Sequence, residues 1–475
     1  MDFFAGMKIV RSIGWSIRMF ILLAILAWTV VLYRWSRRED PRFYEFVESP
    51  PGRVIAQVFQ WNQSELDVPV KEKNEAQMTD EERATKRLLE EELQQEAPAY
   101  KLIFDDDRIM TGSLLAETPE AVEFSESYAG NGSISLWINR SRIQSLVRLT
   151  NGIPDVSYRD VRFKMDHPAM SFYRRPPYTI LTDESFFQVE KTVRVLQHLF
   201  QQLVETFEPL IRRPDREDGI QVLFFSQESA YKEYQQRYAP HMPDSSGFYS
   251  PRIDRLIVYN QSASDRIHKL QEKVEDEYNR HRPDISSPEG LAHLNEWRSQ
   301  SSRRIAQYAE EQTLASIRHE GAHQLFFTLG VHSSNRMENE WLVEGLATYC
   351  EPPEIGGFDS SRATVLKTAL DEGTLIQLEE LVNMRSAEGL MVFGTYERVA
   401  LSYCESWALA RMLMQDEYRP AFFDYIRYIR ETDNLSEINK ETQFGVLCRF
   451  LGLKPEVLWE RWLSYVYQLS AKLSP

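Results

Sequence analysis

The pentapeptide His319-Glu320-Gly321-Ala322-His323 constrains this chain more than any other stretch of it. Two histidines four positions apart share a face where the backbone is helical, because at about 100° per residue they lie only about 40° apart around the axis. The surrounding apolar residues agree. Leu314, Ile317, Gly321, Leu325 and Phe326 fall on one face, so the spacing predicts a helix over 313–327. The two imidazoles then project together and suit one shared cation, with Zn²⁺ the best match to paired histidine donors. Glu320 sits beside the pair rather than between it, where a base acting on metal-bound water belongs. Gly321 and Ala322 let another element approach this helix closely.

A third protein donor is needed, and the next apolar stripe supplies one. After twenty intervening residues His323 is followed by Glu344, within Trp341-Leu342-Val343-Glu344-Gly345-Leu346-Ala347-Thr348-Tyr349. Trp341, Leu342, Gly345, Leu346 and Tyr349 mark a second helix, ended by Pro352-Pro353. A carboxylate in so apolar a stripe is costly to bury unpaired, and a cation removes that cost. Two histidines and one glutamate leave a fourth position for water, as catalytic zinc sites require. His332, Glu338, Glu340 and Glu351 are the other candidate ligands. Glu340, one turn before Glu344, is also placed to orient a histidine ring.

These two segments resemble the gluzincin metallopeptidases, the H-E-x-x-H class with a downstream glutamate ligand. Trp341-Leu342-Val343-Glu344-Gly345 is similar to the W-L-x-E-G segment of that class's aminopeptidase branch. The order of Pro177–Phe207, Gly247–Tyr259 and the motif helices resembles an uncharacterised bacterial family of peptidase-MA-like proteins, over Pro176 to Pro475. The resemblance implies that His319, His323 and Glu344 bind one zinc ion and that Glu320 is the base. It also implies a tyrosine that donates to the oxyanion. Tyr403, in Ala400-Leu401-Ser402-Tyr403-Cys404-Glu405-Ser406-Trp407, resembles the family's Tyr-containing segment, with Tyr396 in reserve. The metzincin subclass is excluded, since it needs Gly where Phe326 stands and His where Leu329 stands. The aminopeptidase G-x-M-E-N segment precedes H-E-x-x-H, whereas Met337-Glu338-Asn339 follows it here, so exopeptidase action has no support. The expected activity is hydrolysis of peptide bonds by a Glu-activated, zinc-bound water. The alternative is a non-catalytic, membrane-tethered scaffold that binds a partner.

The rest of the chain sets the context. Lys and Arg number 55 against 71 Asp and Glu, a net charge of −16 that argues against a nucleic-acid partner. Cys350, Cys404 and Cys448 show no CxxC spacing and are expected to be small buried hydrophobes. Residues 13–35 form an apolar stretch that as a helix spans about 34 Å, enough for a single-pass N-terminal anchor within residues 1–40. Lys8, Arg11 and Arg18 before it balance Arg34, Arg37 and Arg38 after it, so charge assigns no side of the membrane. Residues 41–97 have the composition of a charged stalk. Five short strands at 98–150 resemble a small SH3-like or Sm-like barrel, a module for a protein partner, since it contains neither His nor Cys. The expected class is thus α+β. A zincin-like peptidase domain occupies 176–475, with a charged helical insertion at about 262–311 and a mostly helical C-terminal part.

Overall fold

In the computed structural model, the described residues are 73–96, 100–106, 108–128, 132–148, 156–212, 219–239, 245–251, 253–333, 339–383, 395–431 and 442–473. The expected anchor at 13–35 lies outside them. Among the described residues no helix is long and apolar enough to cross a membrane. The architecture is mixed α+β, with two five-stranded sheets and a predominantly helical second half.

The part of the stalk segment that is described does not stand free. Helix α1 (Asp80–Glu96) starts with a reciprocal cap, in which the Glu82 amide donates to Thr79 Oγ1 and the Thr79 amide donates to Glu82 Oε2. Leu89 and Leu93 on this helix are buried against Val156, Val161 and Phe163. Glu82 is also buried and accepts from the Tyr158 hydroxyl at 2.6 Å and from Lys73 Nζ at 3.1 Å. A composition rich in Glu and Arg hid a helix with one apolar stripe.

The first sheet comprises β1 (Tyr100–Phe104), β2 (Ile109–Glu117), β3 (Ala121–Tyr128), β4 (Gly132–Asn139) and β5 (Ile143–Arg148). It is antiparallel throughout, in the order β4-β3-β2-β1-β5, and a one-turn 3-10 helix at Arg140–Arg142 links β4 to β5. All five expected strands are present. No ladder joins β4 to β5 among the described residues, so the closure of a barrel is not seen. Alternation buries Leu102, Phe104, Val122, Phe124 and Ile138 on one face. Gly112 is required on β2, because a Cβ there would lie 2.2 Å from the Ser125 carbonyl oxygen.

Helix α2 (Tyr158–Asp166) leads into the second sheet. That sheet comprises β6 (Ser171–Arg175), β7 (Tyr178–Thr182), β8 (Ile220–Phe225), β9 (Gly247–Ser250) and β10 (Arg255–Tyr259). Its order is β6-β7-β8-β10-β9, with β7, β8 and β10 parallel and both edge strands antiparallel. Helices α3 (Phe186–Phe207) and α4 (Glu228–Tyr238) make the two crossovers. Both faces are covered, and the near-continuous apolar runs of the central strands reflect it. Ile180, Val222, Phe224, Leu256 and Val258 face α3 and the helical half, while Leu181, Leu223, Phe225, Ile257 and Tyr259 face α1, α2 and α4.

A helical hairpin follows. It consists of α5 (Asp265–His281) and the 41-residue α6 (Pro288–Thr328), whose last three turns carry His319 and His323. The motif helix therefore starts 25 residues before the 313–327 range drawn from periodicity, and half of the expected insertion is its first half. Ser287 caps α6, its hydroxyl accepting from the Gly290 amide, and Pro288 occupies the first helical position. The remaining helices are α7 (Glu340–Tyr349), α8 (Ser360–Glu372), α9 (Leu378–Asn383), α10 (Tyr396–Leu413), α11 (Arg419–Glu431), α12 (Gln443–Leu451) and α13 (Pro455–Ala471). They enclose the large core, with Trp341, Trp407 and Trp462 fully buried, and all three cysteines are free and buried as expected.

Candidate metal centre

The last turns of α6 lie across the second sheet, beside edge strand β9. Close packing on one side comes from Gly321, where a Cβ would sit 3.0 Å from Leu196 Cδ2 and 3.2 Å from Leu199 Cδ2 of α3. After α6 ends, the chain returns as α7. Gly345 brings α7 onto α10, since a Cβ there would meet the Ser406 carbonyl oxygen at 2.7 Å. These two contacts aim the histidines of α6 and the glutamate of α7 at one point.

At that point Nε2 of His319 and Nε2 of His323 lie 3.1 Å apart. Glu344 Oε2 is 3.2 Å from the first and 3.6 Å from the second. One donor atom from each of the three residues falls within 4.8 Å of the others, the spread that a single metal ion can bridge. His332, Glu340 and Glu351 are not in that group, and Glu338 lies outside the described residues. The chemistry of the set fits a cation. Three lone-pair donors converge, and Glu344 Oε2 is buried without a hydrogen bond, a cost that a bound cation relieves.

Electrostatics follow from this crowding. Burial raises the Glu344 pKa, but the adjacent His323 and His319 rings outweigh it and hold the carboxyl well below the usual carboxylate range. Burial likewise depresses His319, and the carboxylates of Glu344 and Glu351 beside it reverse that and lift it well above the ordinary histidine value. Glu340 lacks such partners. Burial, then the nearby Glu344 charge, push its pKa up to about 8. His332 is pushed down to about 3 by burial and by the charges of His323 and Arg430.

The other site candidates divide clearly. Glu320 turns toward β9, where its Oε2 accepts from the Tyr249 amide at 3.0 Å. Gly247 on the same strand leaves space for it, since a Cβ there would come within 3.3 Å of Glu320 Cγ. Tyr403, on α10, has its phenol pKa raised by burial and then by the charges of Glu344, Glu320, Glu340 and Glu351. The Tyr396 side chain lies outside what is described.

One expectation is corrected. Glu340 was placed to orient a histidine ring, but among the described residues the partner of His319 Nδ1 is Glu351, through Oε1 at 2.8 Å. Glu340 is the first residue of α7, a full turn before Glu344. Two further participants carry no sequence signal of their own, Arg318 and Arg362. A charged residue next to a histidine motif, and another in a new helix, look like solvated positions until the fold buries Arg318 and half-buries Arg362. Residues 313–435, from the end of α6 to the end of α11 and beyond, match a family model described as "Protein of unknown function (DUF1570)". No curated protein matches the sequence.

Proposed function

We propose that this chain is a membrane-anchored, zinc-dependent peptidase of the gluzincin type, with a zincin-like catalytic domain. The observation that carries the reading is the convergence of His319, His323 and Glu344 with Glu320 alongside. When bound, the zinc supplies Lewis acidity and a lowered water pKa. His319, His323 and Glu344 would hold the ion. The Tyr249 amide fixes Oε2 of Glu320, leaving Oε1 to take a proton from the attacking water and pass it to the leaving amine. Tyr403, kept protonated by its raised pKa, donates from its phenol to the developing oxyanion. Strand β9 is an antiparallel edge of the second sheet, the kind of element along which an extended peptide binds.

The first sheet supports an accessory role. Five antiparallel strands, with β5 beside β1 and a one-turn helix before it, match the strand order of a small SH3-like barrel. Its outer positions Leu115 and Trp137 are 55% and 58% exposed, as a module that engages a protein partner would have them. A scaffold without catalysis has no use for a base held beside two metal-binding histidines, so the peptidase reading is preferred.

Purified full-length protein should contain one zinc per chain and cleave members of a peptide library, with cleavage lost on chelation. Glu320→Gln should abolish cleavage and keep the metal. Absence of zinc even after it is offered, or intact cleavage by Glu320→Gln, would overturn the proposal. The anchor has its own check, retention of the full chain in membranes through a carbonate wash.

A further inference from the structure

The loop between α7 and α8 is held far more tightly than a ten-residue connection needs. Glu351 Oε1 meets His319 Nδ1 at 2.8 Å, and its Oε2 accepts from Arg362 Nη2 at 2.6 Å. Arg362, on the first turn of α8, also donates from Nη1 to Asp359 Oδ2 at 2.5 Å, while Asp359 caps that helix by accepting from the Arg362 amide at 3.0 Å. From α6, Arg318 donates through Nε to the carbonyls of Cys350 at 2.9 Å and Glu351 at 3.0 Å, and its Nη2 reaches Gln202 Oε1 at 3.0 Å. From α10, Arg411 Nε donates to the Gly356 carbonyl at 3.1 Å. Gly356 has φ +76° and packs so closely that a Cβ would lie 2.4 Å from the Tyr349 hydroxyl. Three arginines from three helices thus fix one loop, and the side chain at its start points at the back of a metal-site histidine.

The geometry points to Glu351 as a positioning residue: anchored by Arg362, its carboxylate accepts the Nδ1 proton of His319 and so turns the Nε2 lone pair toward His323 and Glu344. This rests on the metal-site reading above. Neutral imidazole carries one N–H, and which nitrogen bears it is set by the bond made on the other side. With Nδ1–H committed to Glu351, Nε2 is free to ligate, and the negative charge behind the ring strengthens its basicity. The loop must supply this group because α7 does not. Thr348, one turn after Glu344 on α7, spends its hydroxyl on the Glu344 carbonyl at 2.7 Å. A carboxylate reaching in from the loop has no helix to orient it, which is the physical reason for the three arginines.

The test uses full-length protein and zinc alone, titrated against a chromophoric chelator. Cobalt is added in parallel as a spectroscopic reporter, and melting of the metal-free protein is followed to separate stability from affinity. Glu351→Ala should weaken zinc binding by about 10–100-fold and shift the absorption bands of the cobalt form. Glu351→Gln keeps an oxygen acceptor for Nδ1–H and should fall between wild type and Glu351→Ala. Arg362→Lys, which keeps a charge beside Glu351, should be milder than Arg362→Ala. Should Glu351→Ala fail to fold, the Glu351→Gln and Arg362 variants carry the same comparison. Zinc affinity and cobalt spectrum unchanged in the folded variants, with only the melting point lowered, would overturn the inference and leave Glu351 a loop anchor. Failure of the wild type itself to bind zinc would instead overturn the site reading beneath it.

Discussion

From Pro288 to Tyr308, α6 has no buried residue, and Trp297 is 39% exposed; from Ala309 to Thr328, it buries Ile317, Arg318 and every side chain from Ala322 onward, with Gly321 among them. One continuous helix therefore has two halves that are held by different means. The first half leans on α5 and on exposed ion pairs such as Arg298–Glu275 at 2.7 Å and Arg303–Glu296 at 3.3 Å, which solvent screens and which contribute little. The second half is fixed by packing on α3, β9 and α7, and by hydrogen bonds to the sheet. Gln324, fully buried, donates to the Gln221 carbonyl at 2.9 Å. Charged composition does not by itself mark the loosely held kind. Helix α1 has as polar a sequence as the arm of α6, yet it sinks Leu89, Leu93 and Glu82 into the core.

The contrast can be broken most directly at the metal site. Glu344→Ala should remove most of the bound zinc, whereas Glu340→Ala should change occupancy modestly. Metal analysis of the two purified variants checks this, and equal losses would mean that α7 presents its carboxylates differently. Next in size is Gly345→Val. Its branched side chain meets a backbone oxygen that cannot swing away, and the expected destabilisation is about 1–3 kcal/mol, read from denaturant melting. Glu82 tests α1. The Tyr158 hydroxyl bond, with help from the Thr79 amide and Lys73 against burial, lowers its pKa from 4.5 to about 2. A carboxyl whose pKa falls on folding stabilises the fold above its unfolded value and loses that effect as pH drops through the folded one. Stability should therefore decline between pH 4.5 and 2 more steeply in wild type than in Glu82→Gln. The smallest effect belongs to the arm. Arg298→Ala should leave the denaturant midpoint almost where it is in wild type and the zinc content unchanged.

Much of this was legible beforehand, for reasons that particular residues make plain. Helix α3 shows its bounds, Phe186–Phe207, because Val189, Val193, Leu196, Leu199 and Leu203 trace one stripe that the core later covers. The three residues that could hold a metal ion stand out because chemistry restricts their spacing as well as their type. The start of α6 was missed because a helix solvated on most sides has no stripe to end. The Ser287-Pro288 cap was the available signal, and it is a short one. Glu351 was named only as a rival ligand. A carboxylate just before Pro352-Pro353 has no periodic neighbours, and its role depends on Arg318, Arg362 and Arg411, which come together only in three dimensions. Strand β9, four residues long, was too short to stand out, although it holds Glu320.

The contact of Gly345 with Ser406 reaches beyond the cost of one substitution. Glu344 precedes that glycine by one residue, and Tyr403 lies three residues before Ser406 on the opposing helix. Main chain rests on main chain there, with no side chain as a spacer. The interval between ligand and phenol is then inherited from two backbones in direct touch. Amino-acid drift elsewhere in the helical core can exchange one apolar group for another without resetting it, as long as position 345 keeps its glycine.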